Sequence, residues 1–166
     1  MKGFDGKYVG YYNSKTSPEF SVGELWETDA PQTGLDSWVT ATNNGGCKSL
    51  VFDFATKDKL NDAFGWYKTD DTTTYINLYP ALNILKSSYS TPAGYIGWRP
   101  ENSVTFVDNH DTGSTQEHWK LRDDKVYLAY VYILTHPGIP CVSWDHYFDW
   151  TGYADVFGEY VPTAKI

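Results

Sequence analysis

A chain of 166 residues is long enough for one domain with a real core and short for a large enzyme fold. Aromatic residues make up 17 % of it, with seven Trp and fourteen Tyr, more rings than such a core needs, which points to some of them lining a binding surface. A formal charge of −8 argues against nucleic acid or an anionic membrane as partner and leaves neutral polar ligands, sugars among them.

The opening stretch MKGFDGKYVGYY has no apolar run of the kind a signal peptide requires, and no segment approaches the ~20 apolar residues that span a bilayer. FSVGELW (20–26) is the first strand-like run, and GLDSWVTATNN after it carries Leu35, Trp38 and Val39 at helical spacing. Cys47 and Cys141 have no C-x-x-C spacing, so the expectation is two separate thiols with Cys141 buried. SLVFDF (49–54) is the second run. ATKDKLNDAF follows it as a helix, with Thr56 as N-cap and Leu60, Ala63 and Phe64 on one face. Asp53, flanked by apolar residues, reads as a buried, hydrogen-bonded acid supporting the sheet. YINLYPALNILKSSY (75–89) also has helical spacing, kinked or divided at Pro80. SVTFV (103–107) is the third run. DDKVYLAYVYILT is the clearest helix, with Val126, Ala129, Tyr130, Ile133 and Leu134 as its buried stripe and His136-Pro137-Gly138 as its stop. CVSW (141–144) is the fourth run, and the tail shows no strong period.

Strands and helices in alternation, with runs too apolar for one-sided burial, predict an α/β fold with a parallel sheet. The absence of a G-x-G-x-x-G or Walker A pattern removes the main support for a nucleotide-binding fold, leaving an ordinary doubly wound sheet or part of a (β/α)8 barrel. In either, ligands meet the carboxyl ends of the strands. There the sequence places Glu24, the group Asp108 to Asp111 with Glu117 and His118 beyond it, and Asp145 with His146. Two carboxyl groups and a histidine, walled by Trp26, Trp119 and Trp144, suit cleavage of a glycosidic bond. A hydrogen-bonded turn is the plainer account of Asp-Asn-His-Asp. The string also resembles an element of binuclear metallophosphatases, in which Asp108, His110 and His118 would converge on metal.

VTFVDNHDTGSTQ resembles the fourth signature region of the α-amylase family of glycoside hydrolases, and FSVGELW its third. LVFDFATKDKLNDAF and AYVYILTHPGIPCVSWDHYFDW are similar to the family's sixth strand and helix and its last helix and eighth strand, notably in plant-type and related bacterial members. The resemblance runs in order from Lys2 to Trp150. It implies a partial (β/α)8 TIM barrel, strands five to eight with their helices over residues 1–150, followed by a tail at 151–166. It implies Glu24 as general acid/base and Asp111 as the carboxylate that holds sugar hydroxyls and stabilises the transition state. His110, Lys2, Trp26 and Trp144 would bind substrate. The implied reaction is retaining hydrolysis of internal α-1,4-glucosidic bonds in starch, glycogen or maltooligosaccharides, in a secreted parent enzyme. The nucleophile belongs to an Arg-x-Asp-x-x-Lys-Gly pattern on the fourth strand, of which Lys2 and Gly3 resemble the end; the Asp would fall before Met1. Calcium is the family's cofactor, and from its site this chain keeps the backbone carbonyl of Gly3. The chain is then expected to be a fragment inactive by itself, self-associating through an open half-barrel, with a non-catalytic starch-binding fragment as the alternative.

Overall fold

In the computed structural model, which describes residues 5–28, 33–70, 73–77, 81–87, 90–113, 118–149 and 163–164, the first element is a helix, α1 (Gly6–Thr16), that the sequence does not announce. Two glycines and three tyrosines give it poor intrinsic propensity. Asp5 caps it by accepting the Lys7 N–H (3.1 Å), and Ser17, at φ 47°, closes it by donating its N–H to the Asn13 carbonyl (2.8 Å). What holds it is tertiary contact. Gly6 and Gly10 lie one turn apart on the face that meets α2 (Thr33–Gly45), so the two helices approach backbone to backbone. A Cβ on Gly10 would stand 1.9 Å from the Thr42 carbonyl oxygen. Gly10→Ala should therefore destabilise by about 1–3 kcal/mol despite the ~1 kcal/mol helix-propensity gain, since backbone cannot move aside as a side chain can. Urea unfolding measures it; an unchanged or raised midpoint would show that the helix pair can shift.

β1 (Val22–Gly23) and β2 (Leu50–Phe52) follow, then α3 (Phe54–Phe64). The N-cap of α3 is Asp53 and not Thr56; Thr56 is the donor, its N–H reaching Asp53 Oδ1 at 2.7 Å. Next comes a hairpin, β3 (Trp66–Asp70) with β4 (Thr73–Asn77), in place of the helix expected from residue 75. Thr73, Thr74, Tyr75 and Ile76 are β-branched or aromatic, and these favour a pleated surface over the crowded turn of a helix. Leu82–Leu85 is a single 3-10 turn, and Pro80 lies outside the described residues.

β5 (Ser103–Phe106) leads through the Asp108–Gly113 turn to β6 (Lys120–Leu121), which pairs antiparallel with β3. α4 (Val126–Thr135) buries Ala129, Tyr130 and Ile133 as expected, whereas Leu134 is 58 % exposed. The fourth strand, β7 (Ile139–Cys141), begins two residues before the expected run. Pro140 has no N–H to give a ladder, and β7 tolerates it because among the described residues it pairs on one side only, with β5. A short α5 (Trp144–Tyr147) and a two-residue pairing of β8 (Phe148–Asp149) with β9 (Thr163–Ala164) complete the described chain.

The main sheet is parallel, in the order β1-β2-β5-β7. One core cluster joins Leu35 and Val39 of α2 to Val51, Ala55 and Tyr95; another joins Leu60, Ala63 and Phe64 of α3 to Val107, Leu121 and the buried stripe of α4. The opposite face of the sheet carries Phe52 and Phe106, their rings 5.6 Å apart and edge-on. Among the strand valines, Val51 and Val104 are buried, Val22 is half-buried and Val142, just past β7, is exposed. Cys141 is half-buried, not buried, because it lies on the edge strand; burial still pushes its thiol up.

Candidate active site

Because all four main strands run the same way, the segments after β1, β5 and β7 gather along one edge of the sheet. Glu24 comes directly after β1, and Asp108 to Thr112 come after β5. One carboxamide joins the two. Asn109 Oδ1 accepts the backbone N–H groups of Asp111 (3.1 Å) and Thr112 (2.8 Å), so its amide nitrogen is the end that faces Glu24, and Nδ2 donates to Glu24 Oε1 at 3.2 Å across 85 positions of sequence. The turn is thus a hydrogen-bonded one, as the plainer reading had it, and through Asn109 it is tied to Glu24. His110 Nε2 stands 3.3 Å from Asp111 Oδ1, with the imidazole 72 % exposed and the carboxyl group 25 % exposed.

Asp108 points the other way, into the protein. Lys57 Nζ of α3, itself fully buried, donates to Asp108 Oδ1 at 2.5 Å and to Asn61 Oδ1 at 2.7 Å, and stands 5.5 Å above the Trp119 ring. Thr112 Oγ1 donates to Asp108 Oδ1 (3.1 Å), and the Leu121 N–H reaches Oδ2 (3.3 Å). His146 brings Nε2 within 3.8 Å of Oδ2. Its Nδ1 meets Tyr130 Oη at 2.8 Å, and that hydroxyl accepts the Ser143 N–H (3.0 Å). Burial pushes the Lys57 ammonium below the usual lysine range, against the pull of Asp108, and pushes the Tyr130 phenol up. The metallophosphatase arrangement therefore does not form: Asp108 closes around a lysine, away from the exposed His110, and among the described residues no three His, Cys, Asp or Glu side chains are placed to hold a metal.

The aromatic residues flank this turn in two depressions. Trp26, 44 % exposed, stacks on Phe54 with centroids 4.8 Å apart and lines a groove of about 510 Å³ with Thr28, Trp66, His118 and Trp119. Trp144, 53 % exposed, lines a smaller depression of about 260 Å³ in which Asn109, His110 and Asp145 meet Phe52 and Phe106. Glu24 and the turn with His110 and Asp111 follow β1 and β5, while Trp26 and Trp144 line two separate depressions. Lys2, Gly3 and Glu117 lie outside the described residues. The described residues offer no calcium cage. Sequence reading missed Asn109, whose part is visible only when the strand order is known, and Lys57, which reads as an ordinary helix lysine until its burial is seen.

The chain is 40 % identical to Probable alpha-amylase 2 of Arabidopsis thaliana over 162 residues, covering 90 % of this chain and 35 % of that protein. It is 53 % identical over 70 residues to the Alpha-amylase type B isozyme of Hordeum vulgare, covering 42 % of this chain and 46 % of that one. To a Glucan 1,4-alpha-maltotetraohydrolase of Roseateles saccharophilus it is 33 % identical over 179 residues, covering 99 % and 29 %. No protein-family model matches the chain. The chain spans about a third of the length of the first of these relatives.

Proposed function

We propose that this chain, which belongs to the α-amylase family of glycoside hydrolases, supplies the acid/base side of a site that hydrolyses internal α-1,4-glucosidic bonds in starch and related glucans with retention. The observation that carries this reading is the Asn109 clamp, which brings Glu24 to the turn bearing Asp111. Glu24 would protonate the leaving oxygen and then take a proton from the attacking water. Asp111 and His110 would hold the sugar hydroxyls, and Asp111 would stabilise the oxocarbenium-like transition state. Trp26 and Trp144 offer ring faces for glucose units. The fold also supports the reading: residues 1–150 would be strands five to eight of a (β/α)8 barrel, with 151–166 as a tail, since each main strand lies beside the one before it with no reversal of order. Calcium would be held with Gly3 and groups outside the described residues. The extracellular setting expected for the parent belongs to the same reading, although one relative is a chloroplastic enzyme.

The pattern Arg-x-Asp-x-x-Lys-Gly does not occur complete within the 166 residues, and in this reading the nucleophile would come from another segment. The competing reading, glucan binding without chemistry, draws on the same exposed rings. Calorimetry with maltoheptaose and a reducing-end assay on starch separate them, run on the 166-residue chain alone and joined behind a nucleophile-bearing first half. The expected result is binding by both and turnover by the joined protein only, with products of α configuration by NMR. Products of β configuration would overturn retention, and no turnover after joining would overturn the hydrolase reading. The chain alone, with Ile139, Val142 and Leu134 exposed near its β7 edge, should also run above monomer mass in solution; a cooperative monomer would remove the open half-barrel from the account.

A further inference from the structure

Lys57 touches none of the groups placed in contact with sugar, yet a run of hydrogen bonds leads from it to two of those residues, Glu24 and Asp111. Its ammonium is 0 % exposed and meets one carboxylate, Asp108, which also accepts the Thr112 hydroxyl proton. A hydroxyl has one proton, so giving it to Asp108 turns the Thr112 lone pairs toward the Asn109 N–H, which donates to Thr112 Oγ1 at 2.9 Å. Asn109 in turn grips Glu24 with its nitrogen and the Asp111 N–H with its oxygen. The order of contact is therefore Lys57, Asp108, Thr112, Asn109, and then the Glu24 carboxyl group and the Asp111 backbone N–H.

We infer that Lys57 is a positioning residue: through Asp108 it fixes the turn that sets Glu24 and Asp111 against one another. As a positioning role it rests on the glucan-hydrolase reading. Among the described residues nothing else near Asp108 replaces it. Asn61 is already engaged by Lys57 and by the Trp119 carbonyl, and His146 approaches Oδ2 no nearer than 3.8 Å. Without the ammonium, the buried carboxylate loses the lysine it touches directly and must turn or admit water, and Thr112 turns with it.

The test is Lys57→Met in the 166-residue chain, which keeps the stem and removes the charge. Amide hydrogen exchange by NMR should show protection at Asp111, Thr112 and Leu121 falling by about tenfold or more, while Val39 and Thr42 of α2 keep theirs. Maltoheptaose affinity, read by tryptophan fluorescence, should fall with the turn. If Lys57→Met does not fold, the neutral pair Lys57→Met with Asp108→Asn takes its place, with the same expected loosening. Protection lost evenly across the chain, protection at the turn unchanged, or failure of both variants to fold would each overturn the inference, because the lysine would then hold the domain as a whole or nothing in particular. A wild-type chain that binds no maltoheptaose, while the variant still loosens the turn, would sink the glucan reading and leave the coupling of Lys57 to the turn standing.

Discussion

Glu24→Gln, made in the protein joined behind a nucleophile-bearing first half, should lower starch hydrolysis by about 10²–10⁴-fold, the range that a positioned general acid contributes. Glutamine keeps an oxygen for the Asn109 amide to donate to, so the clamp and glucan binding should survive nearly intact. What it cannot do is give up a proton. The loss should therefore shrink with an activated aryl maltoside, whose leaving group departs without protonation. Asp111→Asn should behave differently, depressing kcat on both substrates, because a carboxylate facing the oxocarbenium-like transition state acts whatever the leaving group is. His110→Ala should follow Asp111→Asn more mildly. Equal loss in Glu24→Gln on both substrates would remove Glu24 from the acid role, and a change confined to KM in the other two would make them binding residues only.

Asp53→Ala should leave the chain unfolded at 37 °C. The carboxylate is fully buried and accepts from Thr56 N–H (2.7 Å), Thr56 Oγ1 (2.6 Å), Ser103 Oγ (2.6 Å), Ile96 N–H (2.9 Å) and, at longer range, Tyr95 N–H (3.4 Å). Each buried donor left unmade costs about 1–3 kcal/mol, so a few of them consume a stability of about 5–15 kcal/mol. Circular dichroism on heating reads the result, and a folded Asp53→Ala chain would show that water replaces the carboxylate. Asp53→Asn, which keeps one acceptor, should be milder and should alter the pH dependence. Burial raises the Asp53 pKa above 3.8, while hydrogen bonds from Ser103, Thr56 and Ile96 oppose the rise. The folded protein thus holds the proton longer than the unfolded chain. The stability this group contributes is full below 3.8 and is lost as pH rises through the folded value, and Asn should flatten that slope.

What could be read from the residues alone divides along physical lines. The parallel strands and α2, α3 and α4 were legible because apolar spacing reports burial directly, and Asp53 was legible because an acid between apolar neighbours must be bonded or expelled. The places of Glu24, His110 and Asp111 at strand ends were legible from the apolar runs before them, but their bonds were not. The first helix was not legible, since Gly6 and Gly10 argue against a helix unless a second backbone is known to lie against them. The β3–β4 hairpin escaped because Tyr75 and Ile76 satisfy a helical period and a pleated one equally well over so short a run. Lys57 was invisible for a similar reason: whether a helix lysine faces water or a carboxylate depends on where another segment ends.

The order β1-β2-β5-β7 has a consequence for how the protein assembles. Each strand joins the one already in place, so the sheet can grow as the chain lengthens. The join of β2 to β5 spans the longest loop, but loop-closure entropy grows only with the logarithm of length, so the intervening hairpin slows that step little. The hairpin gains its third strand late, because β6, its partner on the other side of β3, comes after β5. Leu121 and His146, which complete the surroundings of Asp108, come later still. During synthesis the surroundings of the Lys57–Asp108 pair are then complete only once residues as late as His146 are in place.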